Sequence, residues 1–253
     1  MSGIAISVIV FLCIAAGTAA GMLLRRSLAE HHLSNDAKDV VRLGTGLIGT
    51  IAALVLGLLI GSAKTSFDLQ TSQVRQITAN VALVDLILAE YGAEARNVRL
   101  LLRQGVAVMA DRLWHEKDPT SARPAHFEAS AAGDRFYLAL QSLPANDDIH
   151  RSLQARAMQI STDVAQIRLL LFTQPTSSIP MPFLVVLIFW LAVIFASFSL
   201  FAKPTPIVIC SLFLFALSAT GAIYLVFELG QPFSGLMRIP PEPLREALAP
   251  LPG

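Results

Sequence analysis

The sequence predicts an all-α membrane protein with four transmembrane helices and a helical, coiled-coil-like stalk inserted between helices 2 and 3. Three observations predict it. First, only 15% of the 253 residues are charged and the mean hydropathy is +0.61, whereas a soluble domain carries about 25% charge. Second, the charges avoid four windows of about 20 residues, the length that crosses a ~30 Å hydrocarbon core. Third, between the second and third windows apolar residues recur in alternating steps of three and four, the pattern of a packed helical seam. The net charge of +1 offers no concentrated positive surface, so nucleic acid is excluded as a partner.

The first window, Ile4 to Leu24, is uncharged. A cleaved signal has a basic stretch before its apolar run, but here Arg25 and Arg26 follow it, so it reads as a retained span. The second window is Leu43 to Ala63, the third Phe183 to Ala202 and the fourth Ile207 to Phe227. In lipid the backbone must satisfy its own polar groups, so all four are expected as helices. Pro180 and Pro182 introduce the third, and Pro204 and Pro206 the fourth, where a helix start tolerates the missing N–H. The short Lys203 to Pro206 link makes the last two an antiparallel hairpin. The resulting division is a transmembrane hairpin (1–63), a soluble stalk (64–180), a second hairpin (181–227) and a tail (228–253) with a short amphipathic helix beginning at Pro243.

Arg25, Arg26, Lys38 and Arg42 lie between the first two spans and no basic residue precedes the first. The positive-inside rule then puts that loop in the cytoplasm, although Lys64, Arg75, Arg168, Arg238 and Arg245 fall on the opposite side. An even number of crossings places the N-terminus, stalk and tail outside. The expected location is a bacterial inner membrane, multi-pass, with an extracytoplasmic stalk.

The stalk is electrically balanced, with twelve basic and twelve acidic residues. Its seam runs through Phe67, Val74, Ile77, Val81, Val84, Leu88, Tyr91, Ala95, Val98 and Leu102, with Gln70 as its polar member. No proline occurs between Leu43 and Asp118. The second span is therefore expected to continue into the seam helix as a rod of roughly 100 Å, unless Gly92 or Gly105 bends it. After a break at Asp118 to Pro124, a shorter helix is expected from Ala125 to Leu143. Asp147 or Asp148 caps a third, carrying Ile149, Leu153, Ile160, Val164, Ile167 and Leu171. The product is a three-helix antiparallel stalk.

Chemistry is hard to find. His31, His32, His115, His126 and His150 show no ligand spacing. Cys13 and Cys210 lie inside spans, and no nucleotide, hydrolase or metalloprotease motif occurs. No enzyme, cofactor or metal is expected. The spans hold no ionisable residue, which argues against a coupled transporter and leaves open a passive pore lined by small or hydroxyl side chains.

Thr45, Gly49, Ala53, Gly57 and Gly61 recur every four residues in the second span, and Gly17 and Gly21 repeat the pattern in the first. Small residues so spaced let helices approach closely. The second-span stripe thus serves either helix packing, within or between subunits, or a pore lining. The third span is ringed by Phe183, Phe189, Trp190, Phe195, Phe198 and Phe201 and is expected to face lipid. Glu228, next to the fourth window, is either a solvated helix end or, functionally, a charge at a pore mouth or a partner for Arg238.

Several strings carry a resemblance: Gly46-Leu-Ile-Gly-Thr-Ile-Ala-Ala-Leu-Val-Leu-Gly-Leu-Leu59, Phe67, Tyr91-Gly-Ala-Glu-Ala95, Arg99, Trp114 and Gln231-Pro-Phe-Ser-Gly235. Together they resemble a bacterial bestrophin-like integral membrane family. Ala93 stands where that pattern has proline, and Gly230-Gln231 where it has Asp-Arg. The resemblance implies an oligomeric channel-like protein and carries over no catalytic or ligand residue.

The sequence thus points to a homo-oligomer in a lipid bilayer passing a small inorganic ion passively, with the second-span stripe near the symmetry axis. In this reading the seam from Phe67 to Tyr91 assembles subunits. The alternative is a non-transporting scaffold or envelope sensor that binds a partner through its stalk.

Overall fold

The computed structural model describes residues 3–27, 35–116, 131–173 and 181–247. In chain order these form α1 (Gly3–Ser27), α2 (Asn35–Tyr91), a 3-10 turn (Ala93–Ala95), α3 (Arg96–Glu116), α4 (Ala131–Gln141), α5 (Asp148–Thr173), α6 (Met181–Phe201), α7 (Pro206–Leu229) and α8 (Glu242–Glu246). No strand occurs among the described residues. Four helices, α1, α2, α6 and α7, are long and apolar enough to cross a membrane. The chain divides into two compact units, Met1–Ser66 with Ser177–Gly230, and Phe67–Thr176 with Gln231–Gly253.

In the first unit, α1 packs on α6 and α7. Gly17 and Gly21 are the residues that let α1 come close. A Cβ on Gly17 would lie 2.6 Å from the carbonyl oxygen of Ala192, and one on Gly21 would collide with the Ala196 carbonyl and Ser199 Oγ. Hence the small-residue pair of α1 meets a second small-residue line on α6. Arg25 Nη1 donates to the Leu200 carbonyl at 3.3 Å, satisfying one of the open carbonyls at the end of α6. Phe11 meets Phe213 of α7 edge to face at 5.8 Å. At the start of α7, Thr205 Oγ1 accepts from the Val208 N–H and Pro206 occupies the first turn, the combination that favours a helix N-terminus.

The third span, expected to face lipid, presents part of its surface to α1. Phe183, Phe189 and Phe198 of α6 are exposed, but Leu184, Leu187, Ile194, Phe195 and Ser199 are buried. Ala192, Ala196 and Ser199 form a shallow line through the bulk, and that line seats α1.

In the second unit the rod ends earlier than the seam suggests. α2 runs unbroken for 57 residues, about 85 Å at 1.5 Å per residue, and stops at Tyr91. Gly92 takes φ +101°, where a side chain is disfavoured. The chain then reverses, and α3 returns alongside α2. The proof is the contact between Asp85 and Arg99, separated by fourteen residues and bonded at 2.7 Å, where a straight helix would hold them about 21 Å apart. Of the two glycines that could bend the rod, Gly92 does so and folds it into a hairpin, and the expected three-helix stalk is replaced by a bundle of α2, α3, α4 and α5.

Its core joins Val74, Ile77, Val81, Val84 and Leu88 of α2 with Leu102, Val106, Met109 and Leu113 of α3, Phe136 and Leu140 of α4, and Ile160, Ile167 and Leu171 of α5. α4 begins at Ala131; the start expected at Ala125 and the break at Asp118 to Pro124 lie outside the described residues, as do His31, His32 and His126. Gln154 Nε2 reaches the carbonyls of Leu140, Gln141 and Leu143, closing the end of α4. Of the two candidate caps for α5, Asp147 serves: its Oδ1 accepts the His150 N–H at 2.7 Å. The tail joins the same core through Phe233, Ile239 and Leu244. Its helix, α8, spans only Glu242–Glu246.

Candidate functional site

Three sets of residues are candidates for function. The first is the small-residue stripe of α2. Four residues advance a helix by 400°, so a four-residue repeat drifts about 40° per step and about 160° from Thr45 to Gly61. The structure follows that arithmetic: Thr45 is buried, Gly49 half-buried, and Ala53, Gly57 and Gly61 are exposed. The buried positions are instead Thr45, Ala52, Leu59 and Ala63. A Cβ added at Gly44, Gly46, Gly49, Gly57 or Gly61 would find no atom within 4 Å. Nothing among the described residues occupies that space, in contrast to the covered glycines of α1.

The second set ends α7. Glu228 is only 6% exposed, which replaces the solvated helix end as a reading of this residue. A methyl group on Gly3 would lie 3.9 Å from its Oε2. The carboxylate therefore stands near the first turn of α1, where the helix dipole favours negative charge. Tyr224 hydrogen-bonds to Glu228, and Thr220 lies one turn further in, buried, with no partner for Oγ1 among the described residues. Thr220, Tyr224 and Glu228 are spaced i, i+4, i+8 and share one face of α7. The uncharged window stopped one residue short of Glu228, which hid this polar line; the four-residue spacing of its members was the available signal. Arg238 is exposed.

The third set consists of the signature residues outside the Gly46 to Leu59 string, which belongs to the first unit; Tyr91, Gly92, Ala93, Arg99, Trp114, Phe233 and Gly235 all belong to the second. Tyr91 is buried, and its hydroxyl donates to the Pro144 carbonyl at 2.8 Å, tying the end of α2 to the α4–α5 link. Its ring meets His150 edge to face at 4.7 Å. His150 Nδ1 lies 2.7 Å from Asp147 Oδ1. That hydrogen bond raises the His150 pKa above its ordinary value, while the backbone and ring contacts of His150 lower that of Asp147. Gly92 makes the reversal, and Ala93 opens the 3-10 turn, a position that proline also suits. Arg99 holds Asp85 through two bonds. Trp114 Nε1 donates to the Ile239 carbonyl at 2.8 Å, and its ring meets Phe233 edge to face at 5.6 Å. Gly235, at φ +89°, turns the tail beside them. Gly230 and Gln231 lie at the exit of α7, with Ser234 Oγ donating to Gln231 Oε1 at 3.5 Å.

The stalk seam has a different use from the one expected. Val74, Ile77, Val81, Val84, Leu88 and Tyr91 are buried in the chain's own bundle, with Phe67 packed against it. No group of His, Cys, Asp and Glu able to hold a metal occurs among the described residues. No curated protein and no solved structure matches the chain. A family model described as Bestrophin-like domain matches residues 12–244.

Proposed function

Because the chain belongs to the bestrophin-like family, we propose that it is an oligomeric, channel-like membrane protein that passes small ions passively. It sits in a bacterial inner membrane with the second unit extracytoplasmic, and it acts without a cofactor, a nucleic acid or a catalytic reaction. The observation that carries this reading is the open small-residue surface of α2: Gly49, Gly57 and Gly61 border space that none of the described residues fills. A second subunit would fill it by close helix approach, or the surface would line a pathway around a symmetry axis. Purified protein in liposomes is expected to give an ion flux that is driven by the gradient alone. Absence of flux at every potential and pH would remove the proposal. Gly57→Leu separates the two uses, since a pore lining loses conductance with the oligomer intact and a packing surface loses the oligomer.

A second reading is a non-transporting scaffold or envelope sensor. It is favoured by the location of Tyr91, Arg99, Trp114 and Phe233, which build the second unit. That unit also displays exposed Leu86 and Leu138. A partner bound there and lost on Leu86→Asp with Leu138→Asp, together with no flux from the parent protein, supports this reading over the first.

A further inference from the structure

A cavity of about 250 Å³ lies among α2, α3, α4 and α5. Close-packed interiors keep few voids larger than a water molecule, and an apolar cavity of about 150 Å³ already admits benzene. The wall is apolar, built by Val81, Val84, Leu102, Val106, Met109 and Phe136. Two glycines, Gly105 and Gly133, widen it. Propensity disfavours glycine inside a helix, yet a Cβ on Gly105 would meet only the Ala132 carbonyl oxygen, at 4.0 Å. The space is open because side chains are withheld from it.

Charge reaches this wall from two residues. Asp134 is exposed and is screened by water. Arg168 is half-buried, its guanidinium lies 5.6 Å over the Phe172 ring, and its Nε is shielded from solvent. A large apolar pocket with a few convergent polar groups is the usual form of a small-molecule site, and bundle interiors are a usual place for one. A guanidinium is the side chain best matched to a carboxylate, through two parallel bonds.

We propose that this cavity binds an amphipathic carboxylate, its apolar body between the four helices and its head on Arg168. The site belongs to the second unit and stands whether or not the spans conduct. Decanoate is the probe, titrated calorimetrically into the full chain in lipid nanodiscs, with decanol as its uncharged counterpart. Decanoate is expected to bind saturably, one per chain, and more tightly than decanol. Arg168→Gln is expected to weaken decanoate about tenfold, the scale of one charge-assisted contact, and to leave decanol unchanged. Gly105→Leu fills the cavity and is expected to abolish binding of both; Ala165→Leu, from the opposite wall, serves where the first variant fails to fold. No saturable binding to the parent chain, binding unchanged in a folded filled variant, or decanol as tight as decanoate would each overturn the proposal.

Discussion

Arg99 grips Asp85 across the chain reversal at Gly92, with Nε to Oδ1 at 2.8 Å and Nη2 to Oδ2 at 2.7 Å. The pair is partly exposed, at 32% and 18% for the two side chains, so solvent screens it. Its parallel geometry nevertheless defines how α3 returns along α2. A double-mutant cycle with Asp85→Asn and Arg99→Gln is expected to give a coupling of about 1 kcal/mol in denaturant unfolding. Arg99→Lys is expected to recover less than half, because an ammonium cannot make both bonds. A coupling near zero would show that the apolar core alone sets the hairpin.

Trp114 is the anchor of the tail. Trp114→Phe keeps a ring against Phe233 but removes the donor to Ile239, and is expected to cost about 1 kcal/mol. Trp114→Ala is expected to cost about 3–5 kcal/mol. Limited proteolysis checks both, with cleavage after Gly235 accelerating in the order parent, Phe, Ala. Equal cleavage rates in all three would mean that the tail is held elsewhere.

Gly21 and Gly57 are predicted to respond oppositely to alanine. At Gly21 the added carbon collides with the backbone of Ala196, so Gly21→Ala should lower the melting temperature. At Gly57 the added carbon meets nothing among the described residues and alanine favours the helix by up to about 1 kcal/mol. Thermal melts of both variants under conditions that dissociate oligomers are the measurement, and a loss of stability at Gly57 would point to a neighbour that this chain does not supply.

His150 is held protonated above the ordinary histidine range by the Asp147 carboxylate bonded to Nδ1. A raised folded-state value stabilises the protein fully below the unfolded value of about 6.5, and this contribution fades as pH rises through the folded value. Asp147→Asn retains a good helix cap but removes the charge. An NMR titration should then find the His150 pKa back near its ordinary value, with a flatter stability profile at pH values above about 6.5. A titration that does not move in the variant would assign the shift to the Tyr91 contact instead.

The membrane helices were readable because charge is excluded from lipid: Ile4 to Leu24 became α1 (Gly3–Ser27) and Ile207 to Phe227 became α7 (Pro206–Leu229). The reversal at Gly92 was obscured for an equally physical reason. Two helices of one hairpin turn their apolar faces to the same core, so Tyr91, Ala95, Val98 and Leu102 keep the seam's rhythm straight through the corner. Gly92 and Gly105 were the two residues that could bend the rod, and only the backbone, with φ +101° at Gly92, tells them apart. The bulk of Phe189 and Phe198 likewise masked Ala192, Ala196 and Ser199 on another side of α6. Glu228 and the cavity beside Arg168 depend on which distant segments meet, and no local periodicity encodes that.

The core of the second unit is completed by Phe233, Ile239 and Leu244, which leave the ribosome only after α7 has been made. The bundle that α2 begins therefore lacks the tail's contacts with Trp114 until two more hydrophobic helices have been synthesised. A chain stopped at Gly230 would hold all four spans and still lack the last layer of its bundle. A chain lacking this final segment is thus expected to expose apolar core surface of its bundle, the kind of surface that drives misassembly of incompletely folded chains.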